Sequence, residues 1–284
     1  MMRMLSIFQY PFIQNAFLAG SLVAIVAGFA GYFLITRGLT FAGHALSHIG
    51  FAGAAGALVF GANPFLGLLL FTVTAGIGVG VLGKKLTEGD ISTGIIMTLM
   101  LGLGALFISL YKGYAERAYS ILFGTILGIS TANVVVTAIF GAVTLIVLAV
   151  IFRPLLFASI DPEVAEARGV PVRALGIIFM ILVAIAVSIS VQIVGVLLIF
   201  TLLVGPAATA TRLARQPVNA VILSMALGLC YTWLGIFLAA NSPWPVSFYI
   251  AAISFCVYLP VRLLAPALDH GKNHHRKDCG AETA

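Results

Sequence analysis

The stretch FAGHALSHIGFAGAAGALVFG, residues 41–61, is an apolar segment long enough to cross a membrane, and it carries two histidines. A helix of about 20 apolar residues spans the hydrocarbon core of a bilayer. His44 and His48 are the only His, Asp, Glu, Lys or Arg side chains in the interior of any long apolar segment, since every other one lies in a connection or at an end. Because a charged group near the bilayer centre costs roughly 3 kcal/mol or more, these two residues indicate a functional site.

The composition of the whole chain predicts an integral membrane protein. Of 284 residues, 61% are hydrophobic and only 8% are charged, whereas a soluble domain has about 25% charged residues. The apolar segments are too long for barrel strands and lack their alternation of polar and apolar residues. Only helices and closed barrels pair their own backbone groups in lipid, so the sequence predicts an all-α polytopic bundle within a bilayer.

About nine transmembrane helices are predicted, with eight as an alternative because the region 174–211 is hard to divide. The candidate spans are 12–35, 41–60, 65–83, 91–110, 134–152, 174–193, 195–211, 218–239 and 246–264. A shorter apolar piece at 119–130 cannot cross and is interpreted as re-entrant or interfacial. We expect one transmembrane domain, residues 1–266, and a flexible polar cytoplasmic tail, residues 267–284.

Basic residues in the connections predict the orientation, since cytoplasmic loops are enriched in Lys and Arg. The predicted cytoplasmic groups are Arg37, Lys84 with Lys85, Arg153 with Arg168 and Arg173, Arg212 with Arg215, and Arg262. Lys112 and Arg117 fall on the opposite side and disagree with this pattern. The N-terminus is therefore predicted to be external and the C-terminus cytoplasmic, in a multi-pass protein of the cell (inner) membrane. The net charge of +6 comes from scattered residues, and it does not indicate nucleic-acid binding.

The histidine segment is predicted to lie inside the bundle, where it could line a pathway. It is rich in Gly and Ala, which let helix backbones approach closely in lipid. Residues four apart share one helix face, so His44 and His48 emerge together. Imidazole is a frequent ligand of zinc and related metals. The alternative is a histidine pair that only ties helices together by hydrogen bonds.

The connection IFRPLLFASIDPEVAEARGVPVRAL, residues 151–175, predicts a short polar helix between two spans. Asp161 is a typical N-cap, Pro162 suits the first helical position, and Glu163 suits the first turn. The sequence Gly-Val-Pro at 169–171 would end the helix. A short helix held on the cytoplasmic side is suited to docking a soluble partner, although a solvated loop remains the alternative.

The sequence resembles the permease subunits of the zinc/manganese-type family of ABC metal importers over nearly its whole length. Four stretches carry the resemblance: Arg37-Gly38 with GHALSHIGFAG at 43–53, FGTILG at 123–128, DPEVAEARG at 161–169, and QIVG at 192–195 with GPAATA at 205–210. The order and spacing of these stretches together make the resemblance specific.

The resemblance implies a homodimeric permease, two cytoplasmic ATPase subunits and an extracytoplasmic solute-binding protein that delivers the ion. It also implies that the 153–173 connection is the coupling helix that receives the ATPase's motion, through Asp161, Glu163, Val164, Glu166, Arg168 and Gly169. The family commonly has an Asp four residues before a His in the second span, both facing the pathway. This chain has His44 in place of the Asp, while His48 matches.

A homodimer would bring four imidazoles towards its two-fold axis. Four nitrogen ligands suit Zn²⁺, whereas a ligand set with a carboxylate suits Mn²⁺ better, so we expect Zn²⁺ as the transported ion with Mn²⁺ next. Ser47 on the same helix could support the site from a second layer, although a membrane Ser more often bonds its own backbone. Asn133 and Gln192 could mark the mouths of a pathway.

Other classes of protein lack support in the sequence. The phosphate-binding pattern G-x-x-x-x-G-K-[ST] is missing, so the chain is not the ATPase, and no covalently bound cofactor or enzymatic motif is indicated. The main alternative is a gradient-driven secondary cation transporter or channel, which would usually place carboxylates in the membrane. A scaffold without transport would leave the histidines unexplained.

Overall fold

Nine long helices occur in the part of the chain that the structure describes. The computed structural model describes residues 11–82, 86–113, 120–124 and 126–281, of which the side chains of 82, 86–90, 127 and 265–281 lie outside the description. The long helices are α1 (Pro11–Thr36), α2 (Thr40–Val59), α3 (Pro64–Leu82), α4 (Leu86–Leu110), α5 (Thr131–Val150), α8 (Val172–Val194), α9 (Val196–Leu213), α10 (Pro217–Ala240) and α11 (Val246–Ala281). Two short helices, α6 (Phe152–Ile160) and α7 (Pro162–Ala167), and a 3-10 turn (Ile126–Gly128) complete the described elements, which confirms the all-α prediction.

Eight of the long helices are long and apolar enough to cross a membrane, and α2 is the exception among those described. The helix α2 has 20 residues, but His44 and His48 lower its mean hydropathy. Most residues of α2 are buried, so it has little surface to offer to lipid, while the half-buried Phe41, His44 and His48 share one face of the helix. The number of transmembrane helices is therefore eight without α2 and nine with it. The difference between the two predicted numbers comes from the histidine helix and not from the region 174–211.

The helices α1, α2 and α8 form the centre of the bundle. The helix α2 packs against α3, α4, α8 and α9, while α1 packs against α5, α8, α9 and α10. The outer helices carry many exposed large apolar side chains, such as Ile91, Ile95 and Leu99 on α4. Such a surface is suited to lipid. The burial of most residues of α2 confirms that this glycine- and alanine-rich helix is interior.

Glycines allow the central backbones to touch. A Cβ atom on Gly53 of α2 would collide with the carbonyl oxygen of Gly67 on α3, and a Cβ on Gly67 would collide with that of Gly53. Polar contacts add to this packing, since the hydroxyls of Thr72 on α3 and Ser188 on α8 lie 2.7 Å apart. The wall around the histidine helix is thus close-packed on the side of α3.

The described residues of the piece at 119–130, which are 120–124 and 126–130, form only short elements and do not cross the bundle. Ile121, Ile126 and Ile129 are buried, and this segment packs against α1. Gly124 and Gly195 both have a φ near +80°, at +75° and +82°, which favours glycine. A Cβ atom on either residue would run into the other's backbone. Gly195 also separates α8 from α9, which fixes the division of region 174–211.

Several predictions fall outside the described residues. Lys84, Lys85 and Arg117 belong to this group, as do the side chains of the tail at 267–284. The orientation of the termini and the domain boundary at 266 stay predictions.

Gly67→Ala should destabilise the bundle, because the new methyl group would collide with the Gly53 carbonyl and lie 2.7 Å from the Ala57 Cβ. We expect a loss of about 1–3 kcal/mol, the usual cost of overpacking. The control is Gly78→Ala on the same helix, where a Cβ meets nothing within 4 Å. Thermal unfolding of the two purified variants in detergent measures the effect. Equal melting temperatures for the two would contradict the close contact between α2 and α3.

Candidate functional site

The two histidines of α2 meet at their Nε2 atoms, which lie 3.2 Å apart. The rings are nearly perpendicular, with an interplanar angle of 87° and centroids 4.6 Å apart. Both side chains are half-buried, while the residues between them, Ala45, Leu46 and Ser47, are buried. The helix therefore presents two nitrogens at one point of its surface.

The separation of the two Nε2 atoms fits a shared metal ion. Two nitrogens at 2.0–2.1 Å from a tetrahedral zinc lie about 3.3 Å from each other, by the tetrahedral angle. Adjacent ligands of an octahedral ion have a similar separation, so the distance suits Mn²⁺ as well. When no metal is bound, the same geometry allows one neutral imidazole to donate a hydrogen bond to the other.

The remaining nitrogens of the pair have no hydrogen-bond partner. The Nδ1 atoms of His44 and His48 are both buried and unpaired among the described residues. The nearest aromatic neighbour is Phe200 of α9, whose ring meets that of His44 edge-on at a centroid distance of 4.7 Å. In the alternative interpretation, the two histidines only connect helices by hydrogen bonds. Within the described part of the chain, neither histidine has a hydrogen bond to another helix.

Ser47 faces its own backbone. Its hydroxyl donates to the carbonyl of Gly43 one turn earlier, at 3.5 Å, and the side chain is buried. This is the common behaviour of a membrane serine. In this geometry Ser47 does not contact the imidazoles through a hydrogen bond.

The histidine pair could provide two ligands, which is half of the set that a tetrahedral ion requires. No group of three or more His, Cys, Asp or Glu side chains within the described ranges could hold a metal ion. Further ligands would have to be water molecules or side chains of another copy of the chain.

The predicted short helix is present as α7 and is capped as expected. The Asp161 side chain accepts a hydrogen bond from the Val164 amide at 3.0 Å, and Pro162 begins the helix. Gly169, with a φ of +82°, ends it, and the Val170 amide donates to the Ala165 carbonyl at 3.0 Å. Ala165 is buried and anchors the helix to the bundle, whereas Glu163, Val164, Glu166 and Arg168 are exposed. These four side chains form the outward surface of α7.

Arg37 makes contacts that the sequence did not predict. It lies in the turn between α1 and the histidine helix, and its guanidinium donates to the Ser159 hydroxyl of α6 at 3.4 Å. It also lies 5.8 Å from the ring centre of Phe179 on α8. Burial lowers the pKa of Arg37, and its Nε has no hydrogen-bond partner in the described structure. An arginine stays cationic at neutral pH even so, and here it joins the start of α2 to the segment that leads into α7.

Known proteins resemble this chain over most of its length. A manganese import system permease protein, ScaB of Streptococcus parasanguinis, is 32% identical over 268 residues, covering 94% of this chain and 95% of its own. A manganese transport system membrane protein, MntC of Listeria monocytogenes, is 31% identical over 230 residues, covering 81% and 82%.

Solved structures show the same fold. PsaBC from Streptococcus pneumoniae, in complex with Fab, matches with a TM-score of 0.81 and 29% identity, over 91% of this chain and 94% of that one. An inward-facing putative metal-chelate type ABC transporter matches with a TM-score of 0.68 over 89% of this chain and 85% of that one. Its identity of 20% supports the fold alone.

The family model described as the ABC 3 transport family matches residues 9–265, which include the histidine helix and the short helix α7. The chain therefore belongs to the ABC 3 transport family, as a multi-pass membrane permease.

Proposed function

We propose that this chain is the permease of an ABC importer for a divalent transition-metal ion, and that the ion passes His44 and His48. The observation that carries this proposal is the convergence of the two Nε2 atoms at 3.2 Å on an interior helix. The manganese systems named for its relatives support a metal ion as the substrate. Neutral imidazoles bind such an ion through their nitrogens and carry no charge when the site is empty.

The complete transporter, in this proposal, contains two copies of the chain, two cytoplasmic ATPase subunits and an extracytoplasmic metal-binding protein. A two-fold axis beside α2 would bring four imidazoles together and supply the ligands that one protomer lacks. The whole would lie in the cell (inner) membrane, with the N-terminus external and α7 cytoplasmic.

The exposed surface of α7 is the proposed docking site for the ATPase. Its movement would reach the metal site by two routes that the contacts support: α8 begins directly after α7, and Arg37 joins α6 to the turn before α2. Because α8 also packs against α2, a displacement of α7 would be transmitted to the histidine helix.

The identity of the ion depends on position 44. An all-imidazole ligand set favours Zn²⁺, and we propose zinc as the preferred ion, with manganese next. The manganese names of the relatives make this a point at which this chain would differ from them.

His44→Ala and His48→Ala should each reduce metal uptake by roughly 100-fold or more. Losing a group that only orients a metal ligand already lowers metal affinity by about 10–100-fold, and these two residues are the proposed ligands themselves. Uptake of radioactive Zn²⁺ and Mn²⁺ into cells at matched expression is the measurement. Thr98→Ala on α4 is the control, because its hydroxyl bonds only the Gly94 carbonyl of its own helix. Wild-type uptake in either histidine variant would contradict the assigned pathway.

His44→Asp should shift selectivity towards Mn²⁺, because a carboxylate is a harder ligand than imidazole. We expect the ratio of Mn²⁺ to Zn²⁺ uptake to rise about tenfold, a difference of ~1.4 kcal/mol. Competition between the two ions in one uptake assay measures the ratio. An unchanged ratio with intact transport would show that position 44 does not set selectivity.

Val164→Asp should weaken binding of the ATPase about tenfold while leaving metal binding unchanged, because Val164 is an exposed apolar residue on α7. Co-purification of the ATPase subunit with the permease tests this. Val218→Asp, at an exposed valine in the first turn of α10, is the matched control. If the two variants retain equal amounts of ATPase, α7 is not the docking helix.

A further inference from the structure

We propose that a cavity at the end of the bundle opposite α7 holds a hydrated divalent cation before the ion reaches the histidines. This inference rests on the proposed function, and it adds a second site to the pathway. The cavity has a volume of about 560 Å³. Its polar lining residues come from five separate segments: Asn63, Tyr111, Ser120, Asn133 and Gln192.

The cavity lies beyond the histidine pair along the axis of α2, on an adjoining face of the helix. Its wall includes Ala54 and Leu58 of α2, and Ala54 is six residues beyond His48. At 1.5 Å per residue, this places the wall about 9 Å along the helix axis from the histidine. The opposite wall contains Gln192, near the end of α8 that is remote from α7. An ion leaving the cavity along α2 would therefore meet His48 first and His44 next.

The size of the cavity suits an ion that keeps its water. Six water molecules at about 30 Å³ each occupy ~180 Å³, well below the volume of the cavity. The cavity therefore has room for the ion together with its first shell of water. The loss of water would then take place at the imidazoles, where nitrogen ligands replace it.

The chemistry of the lining suits loose binding of a hydrated cation. The Gln192 side-chain oxygen is buried and has no hydrogen-bond partner in the described structure, and leaving such an oxygen unpaired costs about 1–3 kcal/mol. Because this oxygen has almost no accessible surface in the present conformation, a rotation of the Gln192 side chain would bring it to the cavity, where a water molecule of the ion's shell would donate a hydrogen bond to it. The described lining contains neutral amides and hydroxyls and no Asp, Glu, Lys, Arg or His. Divalent cations accept carbonyl and amide oxygens as ligands, and a lower ligand charge weakens their binding.

The wall that carries Gln192 is held rigidly. Three residues after Gln192, the backbone of Gly195 lies against that of Gly124, and Ser120 and Ile121 of the same segment line the cavity. Asn63 is also fixed, because its side-chain oxygen accepts a hydrogen bond from the Phe65 amide at 2.9 Å. The backbone near Gln192 and the side chain of Asn63 are thus held in place by the fold, so the wall of the cavity has a defined shape.

The test measures Mn²⁺ binding by electron paramagnetic resonance of the free aqua ion, on the permease–ATPase complex in lipid nanodiscs. The His44→Ala/His48→Ala double variant removes the histidine site and leaves the cavity intact. In that background we expect Gln192→Glu to tighten Mn²⁺ binding at least tenfold, since a carboxylate is a stronger ligand for a hard cation. Gln192→Leu should abolish the residual binding. Gln216→Glu, an exposed glutamine at the other end of the bundle, should have no effect.

Asn133→Asp changes another wall of the cavity, and it should also tighten Mn²⁺ binding. It replaces Gln192→Glu in the test if that variant fails to assemble with the ATPase. The cavity proposal is overturned if the aspartate and glutamate variants assemble but bind Mn²⁺ no better than the Gln216→Glu control. It is equally overturned if the residual binding survives Gln192→Leu. Failure of the proposed function is a separate result, because it appears as normal uptake in His44→Ala and His48→Ala with Gln192 intact.

Discussion

The burial of a helix that carries two imidazoles in the centre of a membrane bundle is the constraint on which the rest of the structure depends. Lipid cannot solvate these side chains, so α2 must be enclosed by other helices. Its glycines and alanines make this possible, because Gly53 and Gly67 bring the backbones of α2 and α3 into contact. The surrounding helices, above all α4, provide the exposed apolar side chains that suit contact with lipid.

Much of the fold could be predicted from the sequence, because long apolar segments have few options in a membrane. All nine predicted spans correspond to helices, and the predicted cap at Asp161 is present. The contacts between distant segments could not be predicted in the same way. Nothing in the local sequence indicates that Arg37 reaches Ser159, that Phe200 packs on His44, or that Gln192 and Asn63 line one cavity.

Gly124 and Gly195 belong to two sequence motifs whose structural role is not evident from the sequence alone. The long helices α5 and α8 lie between the two glycines along the chain, and each glycine has a backbone conformation that favours glycine. Their contact fixes a non-crossing segment against the junction of α8 and α9. One requirement, the close approach of two backbones, thus accounts for a glycine in each of two distant stretches.

In the proposed function, release of the ion depends on where its ligands are attached. His44 and His48 are one turn apart on the same helix, so a rigid movement of α2 cannot separate their nitrogens. Two imidazoles alone form half of a tetrahedral set and hold an ion less firmly than four. In the proposed dimer, a displacement of α7 that reaches α2 through α8 and Arg37 would move one histidine pair away from the other. The ion would then keep two nitrogen ligands, and water would replace the others before it leaves.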